Sequence, residues 1–153
     1  MLYFAYGSNL DEGQIKFRCP DSKPKFKARL DGFRLDFTRY SPKWQGGVAD
    51  VVDDPGSLLW GFVYDLTKDD LKKLDDYEEG YYKEKINVIY RKKNIEVYIY
   101  KVINKQPYIQ PSEKYINLII KSAKKYRFHK HYIKFLMTFK NFTINTINPD
   151  LLK

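Results

Sequence analysis

At 153 residues the chain is long enough for one ordinary domain to bury a core, and its 43% hydrophobic and 31% charged residues exclude a disordered polymer. No apolar run approaches the roughly 20 residues that span a bilayer, and the start MLYFAYGSN lacks the basic and long apolar regions of a secretory signal, so a cytoplasmic address without a membrane partner is expected. The net charge of +9 is uneven, with 12 basic against 15 acidic residues over 1–80 (−3) and 16 against 4 over 81–153 (+12), but the lysines are spread among Ile, Asn and Tyr rather than clustered, which argues against a nucleic-acid partner.

In chain order, LYFAY (2–6) is a short apolar run that stops at Gly7, as a buried strand does. KARLDGFRLDFTRY (27–40) alternates from Phe33, placing Phe33, Leu35 and Phe37 on one face. GVADVV and LLWGFVYDL flank DDPGS (53–57), where Pro fixes φ and Gly accepts positive φ, so a hairpin is expected there. Thr67, with Asp70 three residues on, opens a helix in the manner of a capping box, and the helix should reach about Tyr77. After Gly80, KINVIY and IEVYIYKV flank RKKN as a second hairpin. Ser112 caps EKYINLIIKSAKKY, with Tyr115, Leu118, Ile119 and Ser122 on one face. An amphipathic stretch, YIKFLMTF, precedes a polar tail of no defined type. No repeat or linker divides the chain, so a single domain over 1–153 is expected, of α+β class: a small, mixed, mainly antiparallel β-barrel-like sheet with a few flanking helices.

Two stretches carry candidate chemistry. In LDDYEEGYY (74–82), a helix advancing about 100° per residue would put Glu78 roughly 20° from Leu71 and 40° from Leu74, on the stripe that faces the core. Burial and the negative end of the helix dipole would both disfavour its charged form, which makes a candidate general base. If the helix instead ends by Asp76, both Glu78 and Glu79 are solvated. The other stretch is YFAYGSNL (3–10), where a strand running into Gly-Ser-Asn exposes consecutive backbone N–H groups. Such a nest suits a carboxylate or an oxyanion, with Ser8 and Asn9 adding donors; the alternative is an ordinary strand exit. Ser8 has no neighbouring His or Lys and no G-x-S-x-G context, so it is not read as a nucleophile. On a helix His129 and His131, at i and i+2, would point apart, and Cys19 stands alone, which excludes a CxxC motif or an internal disulfide; no metal site is expected.

Taken together, YFAYGSNL, ARLDGFRLDF, WQGGVADVV, DPGSLLWGFVYDL, LDDYEEGYY, PSEKY and SAKKY resemble, in this order, the γ-glutamylcyclotransferase family. The resemblance implies a barrel-like sheet with a cavity, no metal and no cofactor, and a small γ-glutamyl substrate that is converted to 5-oxoproline and a free amine. It implies Glu78 as the acid/base, a substrate cradle at Tyr3, Tyr6, Gly7, Ser8, Asn9 and Leu10, and a substrate contact at Tyr115. Glu79, immediately after Glu78, leaves a one-residue shift of role open. Ser122-Ala123 and Phe128-His129 stand where relatives often have Gly-Ala and Leu-Pro, on the side that would shape the leaving group. A monomer or homodimer is expected. The alternatives are a non-catalytic small-molecule binding domain on the same fold, or a basic domain that binds nucleic acid or protein.

Overall fold

The computed structural model describes residues 1–147, with side chains through Lys140. Five strands close into a barrel in the order β1-β3-β2-β4-β5: β1 (Leu2–Ala5), β2 (Lys23–Ser41), β3 (Gly46–Asp65), β4 (Tyr81–Tyr90) and β5 (Lys93–Val102). All pairings are antiparallel except β1 with β5, which closes the barrel in parallel at Tyr3↔Tyr98. Four helices flank it: α1 (Glu12–Arg18), α2 (Lys68–Tyr77), α3 (Glu113–Lys125) and α4 (Lys130–Ile147). The expected mixed, mainly antiparallel barrel with flanking helices is what forms. The polar tail from residue 148 lies outside the described residues.

The long β2–β3 ribbon differs from the expected hairpin at DDPGS. Both flanks of that segment pair with β2 rather than with each other, so β3 runs through it without reversing. Between the pairs Phe33↔Asp53 and Asp31↔Leu58, residues 54–57 stand opposite Gly32 alone, a wide bulge in which Gly32 and Gly56 take φ of +83° and +89°. A Pro-Gly turn signal and a glycine bulge ask for the same backbone angles, and register with β2 decides between them. The chain reverses instead at 42–45, where Gln45 has φ +56°. The RKKN reversal is a two-residue turn, Arg91–Lys92, both at positive φ as the twist of a tight hairpin requires.

Of the face expected from Phe33, Leu35 and Phe37 are buried, while Phe33 is half-buried beneath the Lys101 ammonium, 4.7 Å from the ring centre. Thr67 caps α2 by accepting from the Asp70 amide at 3.1 Å, but the capping box is not reciprocal, because the buried Asp70 carboxylate accepts from the Asp21 amide at 2.8 Å. Ser112 caps α3, whose buried stripe is centred on Tyr115, Ile116 and Ile119, with Leu118 at its edge. Helix α1 has no counterpart in the elements expected from sequence. Its seven residues include Gly13 and bury only Ile15, too short a pattern for periodicity to register, although Asp11 caps it by accepting from the Gln14 amide.

Candidate active site

The strand-to-turn junction at Gly7 becomes a 3-10 turn, Ser8–Leu10, that leads directly into α1. Across from it, α2 ends at Tyr77, and the Glu78 amide still donates to Leu74 and Asp75 carbonyls at 3.1 and 3.3 Å. The bond to the Leu74 carbonyl holds Glu78 close to the angular position that helical periodicity assigns it. The residue is half-buried, and its carboxyl is the enclosed end; Glu79 is exposed. The two ends meet at a small chamber of about 40 Å³ lined by Tyr3, Tyr6, Gly7, Ser8, Asn9 and Glu78, with Ala49, Tyr81, Tyr100 and Tyr115 completing it. Of the acid/base and substrate-contact residues that the resemblance implies, Leu10 alone falls outside the lining, its side chain in the core and its carbonyl 3.3 Å from the Tyr64 hydroxyl; Glu79, the alternative to Glu78, also lies outside it.

Burial raises the Glu78 carboxyl to about 7, against the opposing pull of the Arg18 charge, the Asn9 hydrogen bond and the Arg39 charge, with Asp75 adding to the rise. Asn9 Nδ2 donates to Glu78 Oε1 and to the Tyr3 hydroxyl, both at 3.0 Å. The orientation of that amide follows from Arg18, which has no acceptor: its Nη1 lies 3.0 Å from Asn9 Oδ1, so the atom facing it must be oxygen and the NH₂ must face Glu78. Gln14 Nε2 donates to the same Oδ1 at 2.9 Å and to Ser8 Oγ at 2.7 Å. Gln14 and Arg18 stand four apart on one face of α1, which is why the helix overlooked in the sequence matters to the site. The Gln-x-x-x-Arg spacing after a capping aspartate is the signal that could have found it.

The chamber's tyrosines divide by where their hydroxyl protons go. Tyr6 donates to the Tyr100 carbonyl at 2.5 Å and Tyr81 to the Ala49 carbonyl at 2.8 Å, so both protons are spent on backbone. Tyr115 accepts from the Ala49 amide at 2.9 Å, and the Ser8 amide also faces its oxygen. Tyr3 accepts from Asn9. Both Tyr3 and Tyr115 are therefore left with a proton to donate into the chamber. Burial and the neighbouring Glu78 charge push both phenols up, so they remain protonated donors. The expected nest is correspondingly narrower than its sequence suggests. The Leu10 and Asp11 amides close the 3-10 turn and the Ser8 amide faces Tyr115, so Gly7 and Asn9 hold the remaining amides.

An outer vestibule of about 110 Å³ shares Ser8, Glu78, Tyr81 and Tyr115 with the chamber and is flanked by Arg18, Arg39 and Lys43. A larger cavity, about 590 Å³, lies elsewhere between Arg34, Trp60 and Tyr132; among the described residues its one carboxylate is Asp54, which accepts from Ser57 Oγ, and no residue of the opening motif lines it. His129 and His131 are exposed at its edge with rings stacked at 4.9 Å, and among the described residues no group of three or more His, Cys, Asp or Glu could hold a metal ion. No helix among the described residues is long and apolar enough to cross a membrane.

The geometry has known counterparts. Residues 3–117 match the family described as Gamma-glutamyl cyclotransferase, AIG2-like. Curated Gamma-glutamylcyclotransferases from Homo sapiens and Mus musculus are 42% and 41% identical over 81 residues, half of this chain but 43% of each relative, so the match spans less than half the length of those proteins. A solved Gamma-glutamyl cyclotransferase superposes with a TM-score of 0.84 at 32% identity, over 89% of this chain and 85% of that one. The matched span runs from the first site tyrosine, through the glutamate at the end of α2, to the tyrosine on α3, so the barrel and the chamber fall within it. On fold and sequence alike, the chain belongs to the gamma-glutamyl cyclotransferase, AIG2-like family.

Proposed function

We propose that this chain is a cyclotransferase that converts a γ-glutamyl amide to 5-oxoproline and a free amine, with Glu78 as its acid/base. The observation that carries the reading is a carboxyl raised to about 7 inside a chamber formed by the opening motif. In the reaction the substrate's α-amine attacks its own γ-carbonyl, so ring closure has little translational entropy to overcome and the protein must fold the substrate and move protons. The α-amine arrives mostly as ammonium. Ionised Glu78 takes one of its protons, and the freed nitrogen forms the new C–N bond at the γ-carbon. The carbonyl oxygen gains negative charge, which the free hydroxyl protons of Tyr115 and Tyr3 are placed to meet. Collapse breaks the old C–N bond as protonated Glu78 gives its proton to the departing nitrogen; the restored carboxylate then takes the second proton from the ring nitrogen and passes it to the free amine, which leaves as ammonium. A group titrating near neutrality is suited to these transfers. The Gly7 and Asn9 amides remain for the substrate's α-carboxylate. The protein is expected to release 5-oxoproline from at least one member of a panel of γ-glutamyl amino acids and amines. Binding without release from any of them would contradict the reading in favour of a binding domain.

Arg18 is a positioning residue in this scheme. It orients the Asn9 amide and lowers the Glu78 carboxyl against the pull of burial. Arg18→Met should therefore move the acid limb of the kcat/KM profile to higher pH and cut activity at pH 7 by about 3- to 10-fold. Arg18→Lys keeps the charge and should restore the position of the limb. A merely structural Arg18 would lower activity at all pH values alike.

Ser8 Oγ accepts from Gln14, and among the described residues no hydrogen bond joins it to a His, Lys or carboxylate. Ser8→Ala should cost about two- to tenfold in kcat/KM, the worth of one neutral hydrogen bond. Mass spectrometry of the wild type during turnover should find no acyl adduct on Ser8; such an adduct would replace this mechanism with acyl transfer.

A further inference from the structure

The vestibule contains a cation that the scheme above does not use. Of its guanidinium groups, Arg18 is engaged with Asn9 and lies 4.9 Å over the Tyr77 ring. Arg39, projecting from β2, is half-buried, and among the described residues it forms neither an ion pair nor a hydrogen bond. Partly burying a guanidinium without a partner is costly, because its N–H donors lose water and gain nothing. The backbone nonetheless makes room for it. Gly80, at φ +85°, lies beneath the group, and a Cβ there would fall 2.2 Å from Arg39 Nε and 2.6 Å from Cζ. Glu79, at the vestibule edge, is exposed and does not pair with Arg39, and Glu78 acts on it only through the field between them. The result is a planar fork of donors, held open beside Glu78 on the side through which the expelled amine would leave.

We infer that Arg39 is a specificity-determining residue that binds a carboxylate on the leaving portion of the substrate, so that the amide cleaved is that of an α-amino acid rather than of a simple amine. The inference rests on the cyclotransferase reading for its orientation, with the γ-glutamyl end in the chamber and the departing end in the vestibule. A guanidinium grips a carboxylate through two parallel hydrogen bonds, whereas an uncharged alkyl group would leave those donors unsatisfied. The same guanidinium would disfavour leaving groups that carry a net positive charge.

The test compares γ-glutamylalanine with γ-glutamylethylamine, which differ only by that carboxylate, in the wild type, Arg39→Met and Arg39→Lys. Turnover is read as 5-oxoproline release at several pH values and binding by calorimetry. Wild type should favour γ-glutamylalanine by about 10- to 100-fold in kcat/KM. Arg39→Met should abolish that preference while changing the ethylamide rate by less than about threefold at the optimum pH of each protein, and Arg39→Lys should keep part of it. Equal turnover of both amides by the wild type, or equal losses on both in Arg39→Met, would overturn the inference and leave the cyclotransferase reading standing. If neither amide is turned over but the wild type binds γ-glutamylalanine more tightly and Arg39→Met does not, the subsite stands and the activity fails. Absence of both turnover and differential binding would overturn both.

Discussion

Replacing Glu78 with glutamine is expected to lower kcat by about 10²-fold or more, because the amide fills the same space and can still accept from Asn9 but cannot take a proton. Glu79→Gln, at the neighbouring exposed position, should cost little by comparison. The reverse pattern would place the base one residue later. The same substitution carries a stability effect of definite sign. Burial raises the folded Glu78 carboxyl to about 7, above the roughly 4.3 of an unperturbed glutamate. Below the lower value it is protonated in both folded and unfolded chains and contributes no pH dependence. Between the two values the unfolded chain ionises while the folded chain keeps its proton, so stability falls as pH rises, by a total on the order of 3 kcal/mol once pH exceeds the folded value. Glu78→Gln removes that loss. Its thermal midpoint relative to wild type should therefore climb by several degrees between pH 4 and pH 8. A midpoint that instead drops relative to wild type over that range would mark Glu78 as a structural anion with a lowered pKa.

Tyr115→Phe should produce the second-largest effect, and on two readouts. Its oxygen accepts from the buried Ala49 amide and faces the Ser8 amide, so the phenylalanine leaves a buried donor without a partner and should cost about 1–3 kcal/mol of stability. Its proton, like that of Tyr3, is left to donate in the proposed reaction, and losing such a donor to a developing oxyanion lowers kcat by about 10²- to 10³-fold. Tyr6→Phe is the matched control. Tyr6 spends its proton on the Tyr100 carbonyl, so its loss should lower stability without a comparable fall in kcat. Equal kcat losses in the two variants would mean that the chamber responds to packing rather than to a hydroxyl proton.

The sequence carries these two ends of the site unequally. Periodicity places Glu78 near Leu71 and Leu74 only if the helix runs past Asp76, which the sequence leaves open; the bond from the Glu78 amide to the Leu74 carbonyl preserves that geometry past the end of α2. Gly7 and Asn9 were legible as a turn beside a buried strand, but the use of each amide was not, because it depends on where Tyr115 arrives from α3. The pairing of Arg18 with Asn9 spans a helix too short for its apolar pattern to be recognised. Arg39 continues the beat of Phe33, Leu35 and Phe37, where a cation is out of pattern; the register shift after Phe37 and the approach of Gly80 beyond α2 show how it is accommodated. The misplaced reversal at DDPGS has the same origin. Local turn chemistry was correct at Gly56, and a long-range register with β2 determined what it built.

The most direct test of the account is a carbon-13 NMR titration of the side-chain carboxyls in glutamate-labelled protein, with Glu78→Gln to assign the resonance. Glu78 is predicted to titrate with a midpoint near 7, well separated from the exposed glutamates. A midpoint at or below about 4.3, the value of an unperturbed glutamate, would contradict the claim that burial in this chamber prepares Glu78 to act as the base.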